Sequence, residues 1–217
     1  MKEIIIETEN FVKNLFRNDS SGHDWYHMFR VRNNALKIYY LEQKGNPFII
    51  EMAALLHDSM DDKLHDSPNK ARRSLLTFLQ TQSIKQKDID FIMEIIDTIS
   101  FKGGNELPLT SIEAKIVRDA DRLDAIGAIG IARTFAYGGK KGNPLYDPNI
   151  AIRDNMTMDE YRNGKSSTVH HFYEKLLKLK GLMQTESARK LAEERDQFLH
   201  LFLQQFLKEW NGEICNY

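Results

Sequence analysis

The chain has 217 residues and an almost balanced charge, with 30 Lys and Arg against 31 Asp and Glu and a net charge of −1. This balance excludes a strongly basic nucleic-acid-binding protein. A content of 41% hydrophobic and 28% charged residues excludes a disordered chain. The length fits a single domain over 1–217. The lone Cys215 fits a reducing compartment, and the absence of a leader or a membrane-length apolar run predicts a cytoplasmic protein without a membrane partner.

Most of the chain shows apolar residues at helical spacing, and several helix starts are marked by capping residues. Asn46-Pro47 opens a predicted helix through Leu56, and Ser67-Pro68 opens another to about residue 82. An apolar stripe predicts a helix over 88–99. Further helices are predicted over 110–135, 167–180 and 185–210. The first of these is opened by the capping-box spacing of Thr110 and Glu113.

Signals for strands and hairpins are nearly absent, so the fold class is predicted to be all-α, with about seven or eight helices. The core of the domain is expected over about 20–135 and the C-terminal helices over 167–211. Residues 137–166 break the helical pattern with four glycines and two prolines, and we expect a long functional or mobile loop there. Lys140 and Lys141 lie in this segment and are predicted to contact anionic oxygens.

Two histidines and two aspartates occupy positions that helical spacing places toward the interior. His57-Asp58 ends the predicted helix 48–56, and His27 precedes apolar residues at +4, +8 and +11. Asp121 follows small apolar residues at −7 and −4. For each alone, a packed core residue is the more common explanation. Together, two imidazoles and two carboxylates from three helices suit one divalent transition metal, such as Mn, Fe, Co, Ni or Zn.

The carboxylates near Asp121 are interpreted differently. Asp119 is expected to be a solvated surface charge. For Asp124, one turn after Asp121, both a supporting role at the site and a surface role stay open.

The order of His27, His57-Asp58 and Asp121 resembles the HD superfamily of metal-dependent phosphohydrolases, whose signature is H…HD…D. The local contexts resemble that family as well: His27-Met28-Phe29-Arg30-Val31, Ala54-Leu55-Leu56-His57-Asp58 and Ala120-Asp121-Arg122-Leu123. The resemblance implies a helical HD-type domain that binds a metal and hydrolyses phosphoesters.

Further segments resemble a bacterial subgroup of metal-dependent nucleotide pyrophosphatases: His23-Asp24-Trp25-Tyr26-His27, Asp61-Asp62-Lys63, residues 119–127 and residues 171–176. This resemblance implies hydrolysis of a (deoxy)nucleoside triphosphate at its α-phosphorus to a monophosphate and pyrophosphate. One tightly held ion, manganese among the candidates, would activate water. Any Mg would arrive with the nucleotide.

Catalytic and substrate-binding residues are predicted around this site. Asp61 and Asp62 are candidates for general base or acid, because related hydrolases of guanosine tetraphosphate have an acidic pair at this spacing; an acidic surface turn is the equal alternative. A polyanionic substrate also requires groups that donate to phosphate. The candidates are His23, Lys63, Arg122, Lys140, Lys141, His171 and Lys175.

Three alternatives remain. The first is an HD hydrolase of another nucleotide, a 5′-monophosphate or guanosine tetraphosphate. The second is a non-catalytic, metal-containing module that binds a ligand. The third, a nucleic-acid phosphodiesterase, is disfavoured by the net charge. We expect a small nucleotide partner and no nucleic acid, and the sequence leaves the oligomeric state open.

Overall fold

A computed structural model describes residues 1–17, 24–60, 67–99, 108–154, 156–157 and 164–213. No strand occurs within these ranges, and the predicted all-α class is confirmed. Their helices are α1 (Lys2–Leu15), α2 (Trp25–Glu42), α3 (Pro47–Leu56), α4 (Pro68–Thr81), α5 (Gln86–Ile99), α6 (Ile112–Asp124), α7 (Gly127–Lys141), α8 (Thr168–Glu174) and α9 (Glu186–Trp210). None of these helices is long and apolar enough to cross a membrane.

The helix starts predicted at Asn46 and Ser67 are confirmed. The Asn46 side chain accepts hydrogen bonds from the backbone N–H groups of Phe48 and Ile49. The Ser67 hydroxyl accepts one from Lys70 N–H. In both helices a proline follows the cap, where its missing N–H removes no helical hydrogen bond. The local sequence therefore determines where α3 and α4 begin.

The start of α6 differs from the predicted capping box. Ser111, not Thr110, caps the helix, because its Oγ accepts from the Ala114 N–H at 3.2 Å. The Glu113 carboxylate accepts instead from the Asn46 N–H at 2.9 Å. That bond joins the first turn of α6 to the start of α3, so a residue expected to act locally makes a long-range contact.

The prediction of a single long helix over 110–135 is wrong, because α6 ends at Asp124 and α7 begins at Gly127. Gly127 has φ +74°, a left-handed conformation that interrupts the helix and strongly favours glycine. A side chain at Gly130 would collide with the Ala125 carbonyl. The positive φ of Gly127 thus marks where the helix is interrupted and α7 begins.

The contacts within the chain divide it into two compact units, Met1–Asp121 and Arg122–Tyr217, with the division inside α6. The single domain predicted for 1–217 stays a prediction. In the first unit α3 is the central element and packs against α1, α2 and α5. All its residues from Ile49 to Leu56 except Glu51 are buried, as expected for a helix that is apolar on every face.

The second unit is built around an aromatic cluster. Phe135 of α7 lies 5.7–6.3 Å, between ring centroids, from three phenylalanines of α8 and α9: Phe172, Phe202 and Phe206. The loop predicted from residue 137 begins later, because α7 continues to Lys141 and ends where Gly142 adopts φ +74°.

The helix predicted over 167–180 is also shorter than expected. α8 ends at Glu174, and two short 3₁₀ turns follow at Leu176–Lys178 and Lys180–Leu182. Lys175, at φ −137° and ψ −60°, leaves the helical region and separates α8 from these turns.

Candidate metal centre

His27 enters the candidate site from the first turn of α2. The helix is capped by Asp24, whose carboxylate accepts from the His27 backbone N–H at 2.9 Å. The His27 side chain is fully buried, and Val31, Ala35 and Ile38 on the same face are buried as well. The predicted inward orientation of His27 is therefore confirmed.

His57 lies at the C-terminal end of α3 and is held in one tautomer. Its Nδ1 lies 2.8 Å from the Ala54 carbonyl oxygen, which can only accept a hydrogen bond. In the neutral ring Nδ1 therefore carries the hydrogen, and Nε2 presents a lone pair. That Nε2 atom is buried and has no hydrogen-bond partner among the described residues. A buried, unsatisfied ring nitrogen next to acidic groups is a feature of metal-ligating histidines.

Asp58 and Asp121 complete a cluster within the first unit. His27 Nε2 lies 3.5 Å from an oxygen of each aspartate. His57 Nε2 lies 3.5 Å from Asp58 Oδ1 and 3.8 Å from Asp121 Oδ1. The structure thus brings together all four predicted ligands. The Asp121 side chain is 46% exposed, so the cluster is open to solvent on that side.

The donor set fits a divalent cation. Two ligands each about 2.1 Å from one ion lie about 3.0 to 3.5 Å apart, which agrees within a few tenths of an ångström with the separations in the cluster. Neutral imidazoles and two ionised carboxylates supply a charge of −2, equal and opposite to that of the ion. The ligand atoms of His27, His57 and Asp121 also lie within 4.8 Å of one another, with Asp58 directly beside them.

The two carboxylates near Asp121 are both buried. The prediction that Asp119 is a surface charge is wrong, because its side chain is inaccessible to solvent. Almost every side of α6 is covered by protein, so the helical period did not reveal an exposed face. Asp124 belongs to the second unit, where its Oδ2 accepts from Arg133 at 2.6 Å. Burial lowers the pKa of Arg195, and the negative charge of the nearby Asp124 partly offsets this effect.

Three of the predicted substrate-binding cations have different environments in the second unit. Arg122 is buried and donates to the Leu182 carbonyl. Lys140 and Lys141 are exposed in the last turn of α7, where a positive charge interacts favourably with the helix dipole. Lys141 Nζ also lies 5.8 Å from the centre of the Tyr137 ring. The contacts of Arg122 suit a packing role, and substrate contact by all three stays a prediction.

His171 is densely surrounded by protein. Burial, with smaller contributions from the positive charges of Lys175 and Arg153, lowers the pKa of His171 from 6.5 to about 4; the Glu174 charge acts in the opposite direction. The ring is therefore neutral near pH 7. A neutral imidazole can donate one hydrogen bond and accept another, but it does not contribute positive charge toward a phosphate. Contact of His171 or Lys175 with substrate stays a prediction.

Four predicted site residues lie outside the described ranges. They are the candidate acid or base residues Asp61 and Asp62 and the candidate phosphate contacts His23 and Lys63.

An ion pair and a hydrogen bond that the sequence did not indicate join Arg153 and Ser166 to Glu174 of α8. Arg153 Nε and Nη2 each donate to the Glu174 carboxylate at 2.8 Å, and Ser166 Oγ donates to the same carboxylate at 3.2 Å. Burial by itself raises the pKa of Glu174, but the hydrogen bonds and charge of Arg153 outweigh it and hold the pKa below its ordinary value. The partners are 21 residues apart and follow no helical period, so no local signal could have found them.

Comparisons with known proteins agree with this geometry. A family model described as HD domain matches residues 24–126, which include all four cluster residues. The chain is 39% identical over 209 residues to the uncharacterized protein YpgQ of Bacillus subtilis strain 168, covering 95% of this chain and 93% of YpgQ.

Solved structures resemble the whole chain. A crystal structure of YpgQ in complex with ADP aligns with TM-score 0.77 and 38% identity, covering 94% of this chain and 97% of YpgQ. An HD-superfamily hydrolase from Bacillus thuringiensis aligns with TM-score 0.78 and 44% identity, covering 98% of this chain and 99% of its own. A Lactobacillus plantarum protein aligns with TM-score 0.86 and 39% identity, covering 98% and 99%.

Proposed function

The chain belongs to the HD superfamily of hydrolases, and on that basis we propose that it is a metal-dependent phosphohydrolase that converts (deoxy)nucleoside triphosphates to monophosphates and pyrophosphate. The observation that carries the proposal is that the Nε2 atom of each of two imidazoles lies 3.5–3.8 Å from an oxygen of each of two carboxylates. The complex of YpgQ with ADP supports a nucleotide as the substrate class.

His27, His57, Asp58 and Asp121 would hold the cation. A divalent ion in such a site supplies a Lewis acid that polarises phosphoryl oxygens and lowers the pKa of coordinated water from about 15.7 toward 7. The Ala54 carbonyl keeps His57 Nε2 available as a lone pair, while the two aspartates balance the charge of the ion. The exposure of Asp121 leaves a side of the cluster accessible to a phosphate.

Outside the cluster, we propose roles by analogy with the family resemblance. Asp61 or Asp62 acts as the general base or acid that moves the proton of the attacking water or of the leaving group. The triphosphate requires positive and hydrogen-bonding groups to offset the aspartates. The proposed contacts are His23, Lys63, Arg122, Lys140, Lys141, His171 and Lys175.

The test is a panel of nucleotides assayed with Mn²⁺, Co²⁺, Zn²⁺ or Mg²⁺, with the products identified by chromatography. We expect pyrophosphate and the nucleoside monophosphate. Release of inorganic phosphate or of nucleoside would instead favour the alternative nucleotide substrates. Metal-independent binding of ADP without any turnover would favour a non-catalytic nucleotide-binding module.

Two variants with the same chemical change distinguish a loss of metal binding at the site from a loss of folding. Asp121→Asn removes one ligand charge and should abolish metal-dependent turnover while the protein stays folded. Asp90→Asn makes the same change at an exposed position of α5 and should leave turnover unchanged. Equal turnover by the two variants would contradict a role for Asp121 at the cation.

A further inference from the structure

A hydrogen bond joins α2 to α6 beside one of the proposed metal ligands. Asn34 of α2 donates from Nδ2 to the Ala120 carbonyl oxygen of α6 at 3.2 Å. Ala120 is fully buried and immediately precedes Asp121 in the chain. The Asn34 amide therefore contacts the peptide bond that joins Ala120 to the candidate ligand Asp121.

The same face of α2 carries a second candidate ligand. Asn34 follows His27 by seven residues, about two helical turns, so the two side chains leave α2 in nearly the same direction. One contacts Ala120 and the other lies 3.5 Å from Asp121 Oδ1. The position of α6 against this face of α2 thus determines the distance between the His27 imidazole and the Asp121 carboxylate.

We propose that Asn34 is a positioning residue for the cation site, and this inference rests on the proposed function. Its amide holds the Ala120 peptide against α2 and thereby holds the Asp121 carboxylate at ligand distance from His27. Metal–ligand distances in protein sites are expected to lie within about 0.2 Å of their standard values. Loss of a hydrogen bond that orients a ligand typically weakens metal binding 10- to 100-fold.

Other contacts keep α6 in place when Asn34 is changed. Arg118 donates to the Thr98 carbonyl at the end of α5, and Glu113 accepts from the Asn46 N–H at the start of α3. Both contacts are farther along α6 from Asp121 than Ala120 is. Removal of the Asn34 amide should therefore disturb the ligand geometry without unfolding the helix.

Four variants test the inference through Mn²⁺ binding, measured by isothermal titration calorimetry on the folded, metal-stripped protein. Asn34→Ala and Asn34→Asp both remove the donor, and the second keeps the size of the side chain. Asn34→Gln retains an amide donor. Asn33→Ala is the matched control, because Asn33 is the exposed neighbour on the same helix. Thermal unfolding without metal reports any purely structural effect.

We expect the Mn²⁺ dissociation constant to rise about tenfold in Asn34→Ala and Asn34→Asp. It should rise less in Asn34→Gln and not at all in Asn33→Ala. If both donor-removing variants bind Mn²⁺ as tightly as Asn33→Ala does, the inference is overturned even where their melting temperature falls. A wild-type protein that binds no divalent cation overturns the proposed function as well, so the two failures are distinguishable.

Discussion

Replacement of His171 by glutamine should remove a specific part of the pH dependence of stability. His171 is neutral in the folded protein because burial lowers its pKa from 6.5 to about 4, assisted by Lys175 and Arg153 and opposed by Glu174. In the unfolded chain the ring is solvated and takes up a proton near pH 6.5. Acidification therefore favours the unfolded state.

Proton linkage gives the direction and the size of the change in unfolding free energy that His171 causes. Between pH 6.5 and about pH 4 the unfolded state binds one proton more than the folded state, so this histidine lowers the free energy of unfolding by about 1.4 kcal/mol per pH unit. Over the whole interval the loss amounts to about 3 kcal/mol. About one pH unit above 6.5 the ring is neutral in both states and contributes no pH dependence. Below pH 4 it is protonated in both, and the loss reaches its limit.

The assay is equilibrium urea denaturation of the wild type and of His171→Gln at half-unit intervals from pH 4 to pH 7.5. The difference in unfolding free energy between the two proteins should move in favour of the glutamine variant as the pH falls through this window. His200→Gln is the control, because the His200 side chain is 63% exposed, and it should show only a small change. Parallel pH profiles for the wild type and His171→Gln would refute a lowered pKa of His171 in the folded protein.

Two further predictions concern the second unit. Gly138→Ala should destabilise the protein by about 1 to 3 kcal/mol, since the added methyl group collides with Thr168 Oγ1. Gly139→Ala, where a Cβ meets no atom within 4 Å, should be neutral or stabilising; similar melting temperatures for both would contradict this packing. Arg153→Ala leaves the buried Glu174 carboxylate without its bidentate partner. It should lower the free energy of unfolding, measured by urea denaturation, by about 3 kcal/mol. A loss below about 0.5 kcal/mol would show that the pair does not anchor the loop.

The proposed metal site was largely accessible from the sequence because its signals are local. The spacing of Val31 and Ala35 from His27 placed that histidine on a buried face, and the burial of both confirms it. The apolar run of α3 likewise predicted a buried His57 at its end. These inferences needed only the helical period, which relates residues within two turns of one another.

Long-range contacts were not accessible in this way. Nothing local distinguishes Glu113 as a partner of Asn46 rather than of its own helix end, or Asn34 as a partner of Ala120. The burial of Asp119 was misjudged for the same reason: its exposure depends on what packs around α6, and no periodicity reports that.

The sequence by itself determined the all-α class, the caps of α3 and α4 and the identity of the four converging side chains. Capping, helical period and amphipathic faces depend only on residues that are close together in the sequence. The tertiary structure alone decided the break at Gly127, the extension of α7 to Lys141, the anchoring of the loop by Glu174 and the distances within the cluster. Those depend on close approach and on charge pairs between segments far apart in the chain, where packing and desolvation outweigh local preference.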